Sequence, residues 1–95
     1  MERKILLSAD ETVSLYKVSE DIWEQFDTLL DDFFKWKKTK YYDETLFVKF
    51  LKNRFGETSI SFIRTVGEYA GEPNMIIQNG KNVTEQYKDI RWFNF

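Results

Sequence analysis

Four carboxylates raise the first question about chemistry. Glu20, Glu24, Asp27 and Asp31 step by four, three and four residues. On a helix that spacing places them within about 60° of one another, with neighbours roughly 4.5–6 Å apart along the axis. Acids so arranged meet a basic partner, ligate a divalent cation together with phosphates or waters, or solvate an outward face. No base lies between Ser19 and Phe34 to offset them, and like charges at i,i+4 cost a helix roughly 0.2–0.5 kcal/mol per pair. A second constellation follows directly, with Lys35, Lys37, Lys38 and Lys40 interleaved with Trp36, Tyr41 and Tyr42. Phosphate neutralisation plus base stacking is the chemistry of single-stranded nucleic acid binding. The same lysines also suit the last turn of a helix, where they complement its dipole. The third is the tail Arg91-Trp92-Phe93-Asn94-Phe95. Residues of these types anchor protein interfaces, and they also close small cores.

Reactive chemistry is otherwise scarce. The 95 residues contain no histidine and no cysteine, which excludes Ser-His-Asp triads, thiol nucleophiles, disulfides and the usual zinc sites. Glycines 56, 67, 71 and 80 form no phosphate-cradling loop. Paired carboxylates serve glycoside chemistry only in a cleft that raises one pKa, and these acids face outward on their helix. The expectation is a non-enzymatic protein without metal or cofactor. The net charge of −2 conceals a separation. Residues 19–34 carry −6 and residues 35–54 carry +5, the flanks contributing 0 and −1. A nucleic-acid binder would more often be basic overall.

The elements that position these residues read as one domain over residues 1–95, with a radius of gyration of roughly 12 Å. Residues 5–7 and 12–18 form an N-terminal hairpin. In the second strand Val13, Leu15 and Lys17 share one face, and Ser14, Tyr16 and Val18 share the other. Ser19 caps a helix over 19–38, with Val18 and Trp23 at staple positions. Ile22, Trp23, Phe26, Leu29, Leu30, Phe33, Phe34 and Trp36 fill an arc about 160° wide on it. A second helix opens at Asp43, where Tyr42 and Phe47 repeat the staple, buries Leu46, Phe47, Phe50, Leu51 and Phe55, and ends at Gly56. The short gap between the helices predicts an antiparallel pair. Ile60, Phe62 and Val66 then mark a strand, 67–74 a loop, and 75–78 and 81–83 a hairpin through Asn79-Gly80. Thr84 caps a single turn, and residues 89–95 form an aromatic tail. The fold class expected is α+β: two antiparallel helices on a small, mostly antiparallel sheet, in the order ββααβββ plus the tail.

Ser14-Leu15-Tyr16-Lys17-Val18, Tyr42-Asp43-Glu44 with Phe47, Val48, Phe50 and Leu51, Tyr87-Lys88, and terminal Phe93-Asn94-Phe95 together form a pattern. With Phe33 and Trp36 in the first helix, it resembles a family of small uncharacterised bacterial proteins carried on phages and other mobile elements. The chain departs from that pattern at Phe34, where the family has cysteine, and at Arg91 or Trp92, where it has proline. The resemblance supplies genomic context and no catalytic residues.

Met1 to Leu7 is too short an apolar stretch for a signal peptide, and no run approaches the ~20 residues that span a bilayer. The expectation is a soluble cytoplasmic monomer or small homo-oligomer without membrane contact. Its expected function is a small protein-binding module, an anti-CRISPR-like inhibitor or adaptor of a host defence protein with a basic surface. Glu20, Glu24, Asp27 and Asp31 would meet that surface, with Trp92 and Phe95 as anchors. The alternative is a nucleic-acid-binding accessory protein using Lys35, Lys37, Lys38, Lys40 and Tyr41.

Overall fold

The computed structural model describes residues 2–37, 44–71 and 74–95. The order is β1 (Arg3–Ser8), β2 (Thr12–Val18), α1 (Glu20–Glu24), α2 (Phe26–Trp36), α3 (Glu44–Phe55), β3 (Ile60–Tyr69), β4 (Ile76–Gln78), β5 (Lys81–Asn82), a 3-10 turn (Thr84–Tyr87) and β6 (Arg91–Asn94). This is an α+β domain with one six-stranded sheet, ordered β5-β4-β3-β2-β1-β6. The pairings are antiparallel except for β1 with β6. Its radius of gyration is 13.1 Å and its thinnest extent 18 Å, the depth of one sheet and one layer of helices.

Both hairpins form where turn chemistry predicts them. Asn79 and Gly80 take φ of 51° and 78°, the doubly positive turn whose twist matches antiparallel strands. Asp10 turns β1 into β2 at φ 60°, a conformation that Asp tolerates. The faces of β2 divide as the alternation requires. Tyr16 and Val18 join a core under the helices with Ile5, Leu7, Ile22, Phe26, Leu29, Phe33, Phe47, Phe50, Leu51 and Ile60. Val13 and Leu15 join a second core on the opposite face with Leu6, Val66, Ile76 and Val83. Among the described residues no α-helix contributes to that core. The sheet curls over it, and Tyr69, Tyr87, Ile90 and Trp92 pack at its margin.

Four expectations need correction. The helix over 19–38 is two segments, because Gln25 leaves helical geometry (φ −98°, ψ 15°) and α2 ends at Trp36. Ser19 caps as predicted, its hydroxyl accepting from the Ile22 N–H at 3.4 Å. The helices are not an antiparallel pair. Phe26 meets Phe47, Trp36 meets Phe50, and Asp32 reaches Arg54, so the contacts do not run in the reversed order that a hairpin imposes. Of the loop expected over 67–74, Gly67 to Tyr69 belong to β3, whereas Ala70, Gly71 and Asn74 lie in no strand or helix and residues 72–73 lie outside the described residues. Gly67 lies opposite Val13 in β3, and a Cβ there would stand 2.6 Å from the Ile77 carbonyl oxygen. Glycine is what lets β4 approach. Finally, the tail is a strand. The predicted cap Asp43 and staple residue Tyr42 lie outside the described residues, whereas Gly56 ends α3 as expected, its N–H donating to the Lys52 carbonyl at 2.8 Å.

A compact polar clamp holds β6 on the sheet. Asn94 Oδ1 accepts from the Ser8 hydroxyl and the Asp10 backbone N–H, both at 2.8 Å, and its Nδ2 donates to Asp10 Oδ1 at 2.7 Å. Ser8, which is fully buried, accepts in turn from the Trp92 indole at 3.0 Å. Removing the amide strands the Ser8 hydroxyl. Asn94→Ala is therefore expected to cost about 1–3 kcal/mol in chemical denaturation, and to speed hydrogen exchange at β6 more than at β3. Uniform exchange across both strands would show that the clamp is not local.

Candidate functional site

All four acids of the stripe are exposed, yet the break at Gln25 divides them. Glu20 and Glu24 lie on α1, Asp27 and Asp31 on α2. The single-helix arc of about 60° therefore does not hold across the set. Glu20 is engaged, accepting from Arg3 Nη2 at 3.4 Å, and neighbouring Asp32 pairs with Arg54 at 2.8 Å. Among the described residues no ion pair engages Glu24, Asp27 or Asp31. No three acidic side chains among them converge as a metal site. What remains is an uncompensated, outward negative face of three carboxylates.

The Lys-aromatic stretch is only partly described. Lys35 is exposed, and Lys37 stands 5.9 Å above the Phe34 ring. Lys38, Lys40 and Tyr41 lie outside the described residues. Trp36, placed by periodicity on the buried arc, is 43% exposed because it is the last residue of α2, although its ring still packs at 5.3 Å on Phe50.

Trp92 and Phe95 are committed to packing. Trp92 gives its indole N–H to the Ser8 hydroxyl and stands edge-on to Tyr69 at 5.9 Å. Phe95 lies 5.2 Å from Phe47, 5.7 Å from Phe33 and 4.8 Å from Phe93, with its N–H donated to the Ser8 carbonyl at 2.7 Å. Of the two readings of the tail, core closure is the one these contacts describe.

A surface that sequence reasoning missed lies on β3. Its one side pairs with β2 from Ile60 to Glu68, whereas β4 covers the other side only at Glu68 and Tyr69. Over residues 60–65 the outer edge has no strand partner among the described residues. All of 61–65 is exposed, including Phe62 at 57% and Ile63 at 41%, two of the three exposed large apolar side chains among the described residues. The register explains why they stand together. Leu15 pairs with Arg64 and Tyr16 with Phe62, so Ile63 is an inserted bulge residue. A bulge breaks the alternation that would send one of two consecutive side chains inward. Tyr16 supports the site from β2, its ring 5.8 Å from Phe62 and edge-on. The signal in the sequence is the adjacent apolar pair Phe62-Ile63 inside an otherwise period-two segment.

The described residues contain no helix long and apolar enough to cross a membrane. Comparison with protein-family models, curated proteins and solved structures finds no match to the chain.

Proposed function

We propose that this chain is a non-enzymatic protein-binding module. The observation that carries the reading is the exposed Phe62–Ile63 pair on an open strand edge. Two adjacent large apolar side chains at a free edge cost solubility and invite pairing, and natural sheets blunt such edges when they serve no contact. The same features supply a partner with apolar anchors and unpaired main-chain groups. The uncompensated face of Glu24, Asp27 and Asp31 gives the partner its sign. A basic surface would be steered toward it, with an on-rate that falls as salt rises. A host defence protein bound by a small mobile-element inhibitor is the concrete version that the family resemblance implies.

The test is capture from a nuclease-treated bacterial lysate on the immobilised chain, with the Glu24→Lys, Asp27→Lys, Asp31→Lys triple variant alongside. The variant is expected to keep its melting temperature, because no ion pair among the described residues is lost, while binding the captured protein at least tenfold more slowly at low salt. Unchanged association would make the three acids a solvated face without a role in recognition.

One observation favours a second reading. Trp36 is partly exposed beside Lys35, as a stacking platform for nucleic acid requires. Oligonucleotide affinity that falls steeply with salt would select it, and no binding at low salt would remove it.

A further inference from the structure

Asn79-Gly80 serves neither the β3 edge nor the acidic face, yet it carries chemistry of its own. An asparagine amide is open to attack by the backbone nitrogen of the next residue. A side chain on that residue hinders the approach, and glycine has none. The chain's other asparagines, at 53, 74, 82 and 94, precede Arg54, Met75, Val83 and Phe95. Asn79 and Gly80 are both exposed, and a Cβ on Gly80 would meet nothing within 4 Å. Among the described residues no hydrogen bond holds the Asn79 amide or the Gly80 N–H. By contrast Asn94 is locked in the β6 clamp, and Asn82 accepts from the Thr84 hydroxyl at 2.6 Å.

The folded turn itself opposes the reaction. With φ of 51° at Asn79, the doubly positive turn sets the Gly80 nitrogen roughly trans to Cβ. Closure of an imide ring needs the two nearly eclipsed, so the hairpin has to open first. That opening is local. β5 is two exposed residues, with Ile77 opposite Asn82 and Gln78 opposite Lys81. Behind it, the Val83 N–H donates to the Ile76 carbonyl and the Ile76 N–H to the Thr84 hydroxyl, both at 2.8 Å. Ile76 and Val83 are buried, so residues 77–82 can part while this anchor holds.

We propose that Asn79 is the chain's site of spontaneous deamidation, gated by opening of the β4–β5 hairpin, and that the isoaspartyl product keeps the hairpin open. The Gly80 nitrogen bonds to Asn79 Cγ and gives its proton to water, while the Cγ–Nδ2 bond breaks and ammonia leaves. Water then opens the cyclic imide. Attack at Cγ restores the ordinary main chain with an aspartyl residue, which the same turn accepts. Attack at the main-chain carbonyl routes the backbone through Cβ and Cγ, lengthening it by a methylene. A two-residue turn absorbs no such insertion without shifting Lys81 and Asn82 out of register. Either product adds a negative charge.

Incubation of the purified chain at mildly alkaline pH, folded and in urea, tests it by peptide mass spectrometry, with isoaspartate read by methyltransferase labelling. In the folded chain Asn79 is expected to be half converted while Asn53, Asn74, Asn82 and Asn94 remain largely intact. Urea removes the turn and is expected to speed the conversion several-fold. Hydrogen exchange on the separated products is expected to be faster over residues 77–82 in the isoaspartyl form than in the aspartyl form. Asn79→Asp supplies the aspartyl standard and should exchange as the unreacted chain does. Asn79 unconverted in the folded chain, conversion as fast there as in urea, another asparagine reacting first, or equal exchange in the two products overturns the proposal.

Discussion

Phe33→Ala is expected to remove about 3–5 kcal/mol of stability, and with it a large share of the roughly 5–15 kcal/mol available to a small domain. Phe33 is fully buried and is the residue on which three distant parts of the chain meet. Its ring contacts Phe47 at 5.2 Å and Phe50 at 5.7 Å on α3, Phe95 at 5.7 Å beyond β6, and Phe34 at 5.4 Å. Most of these are steep edge-to-face contacts, which add to the burial of the rings. Truncation leaves a cavity ringed by aromatic side chains, which collapse poorly into the space. At roughly 4–8 °C per kcal/mol for a domain of this size, the melting temperature should fall by some 12–40 °C. Trp36→Ala, one turn on and 43% exposed, should cost much less than Phe33→Ala. Equal losses for the two would mean that Phe33 is not the centre of this core.

Phe62→Ser with Ile63→Ser is expected to do the reverse, sparing the fold while abolishing recognition. Both side chains are substantially exposed, and among the described residues Phe62 has one aromatic neighbour, Tyr16. Polar replacement should therefore change stability by no more than about 1 kcal/mol. A contact of hot-spot quality contributes about 2 kcal/mol or more, so losing two should lower partner affinity roughly 100-fold or beyond. Surface plasmon resonance with the captured partner reads this directly, and a loss of less than about threefold would move the contact surface elsewhere. The same variant should be more soluble, since it removes apolar surface from an open strand edge.

These two predictions differ in how far the sequence anticipates them. Phe33 sits at the middle of an apolar arc, and that arc is local information: Ile22, Phe26, Leu29, Leu30 and Phe33 are all buried as the 3.6-residue period requires. The Asn79-Gly80 hairpin, the Ser19 cap and the two faces of β2 are local in the same sense. The exposure of Phe62 and Ile63 depends instead on strand pairing. The bulge at Ile63 breaks the alternation that would turn one of the two inward, and β4 pairs only at Glu68 and Tyr69, which leaves the adjoining backbone edge without a strand partner among the described residues. The pairing of β6 with β1 joins residues more than eighty positions apart and is parallel, so no turn announces it and the tail reads as an extension. Its aromatic content is a better guide. Phe95 packs on Phe33 and Phe47, and Trp92 on the second core, as a small chain rich in aromatics must arrange. Gln25 is the opposite case: no glycine or proline marks the break there, and the acidic stripe is divided without warning. The outward position of Glu24, Asp27 and Asp31 survives because it needs only that their segments be amphipathic.

The central claim is that recognition runs through the open edge of β3. Hydrogen exchange of the chain, free and saturated with the protein it captures after nuclease treatment, tests this most directly. The backbone amides over residues 61–65 that point away from β2 have no strand partner among the described residues and should exchange quickly in the free chain. Binding is expected to slow them most, with a smaller effect around Glu24, Asp27 and Asp31. Unchanged exchange over 61–65 in a saturated complex, with protection centred elsewhere, would contradict the account.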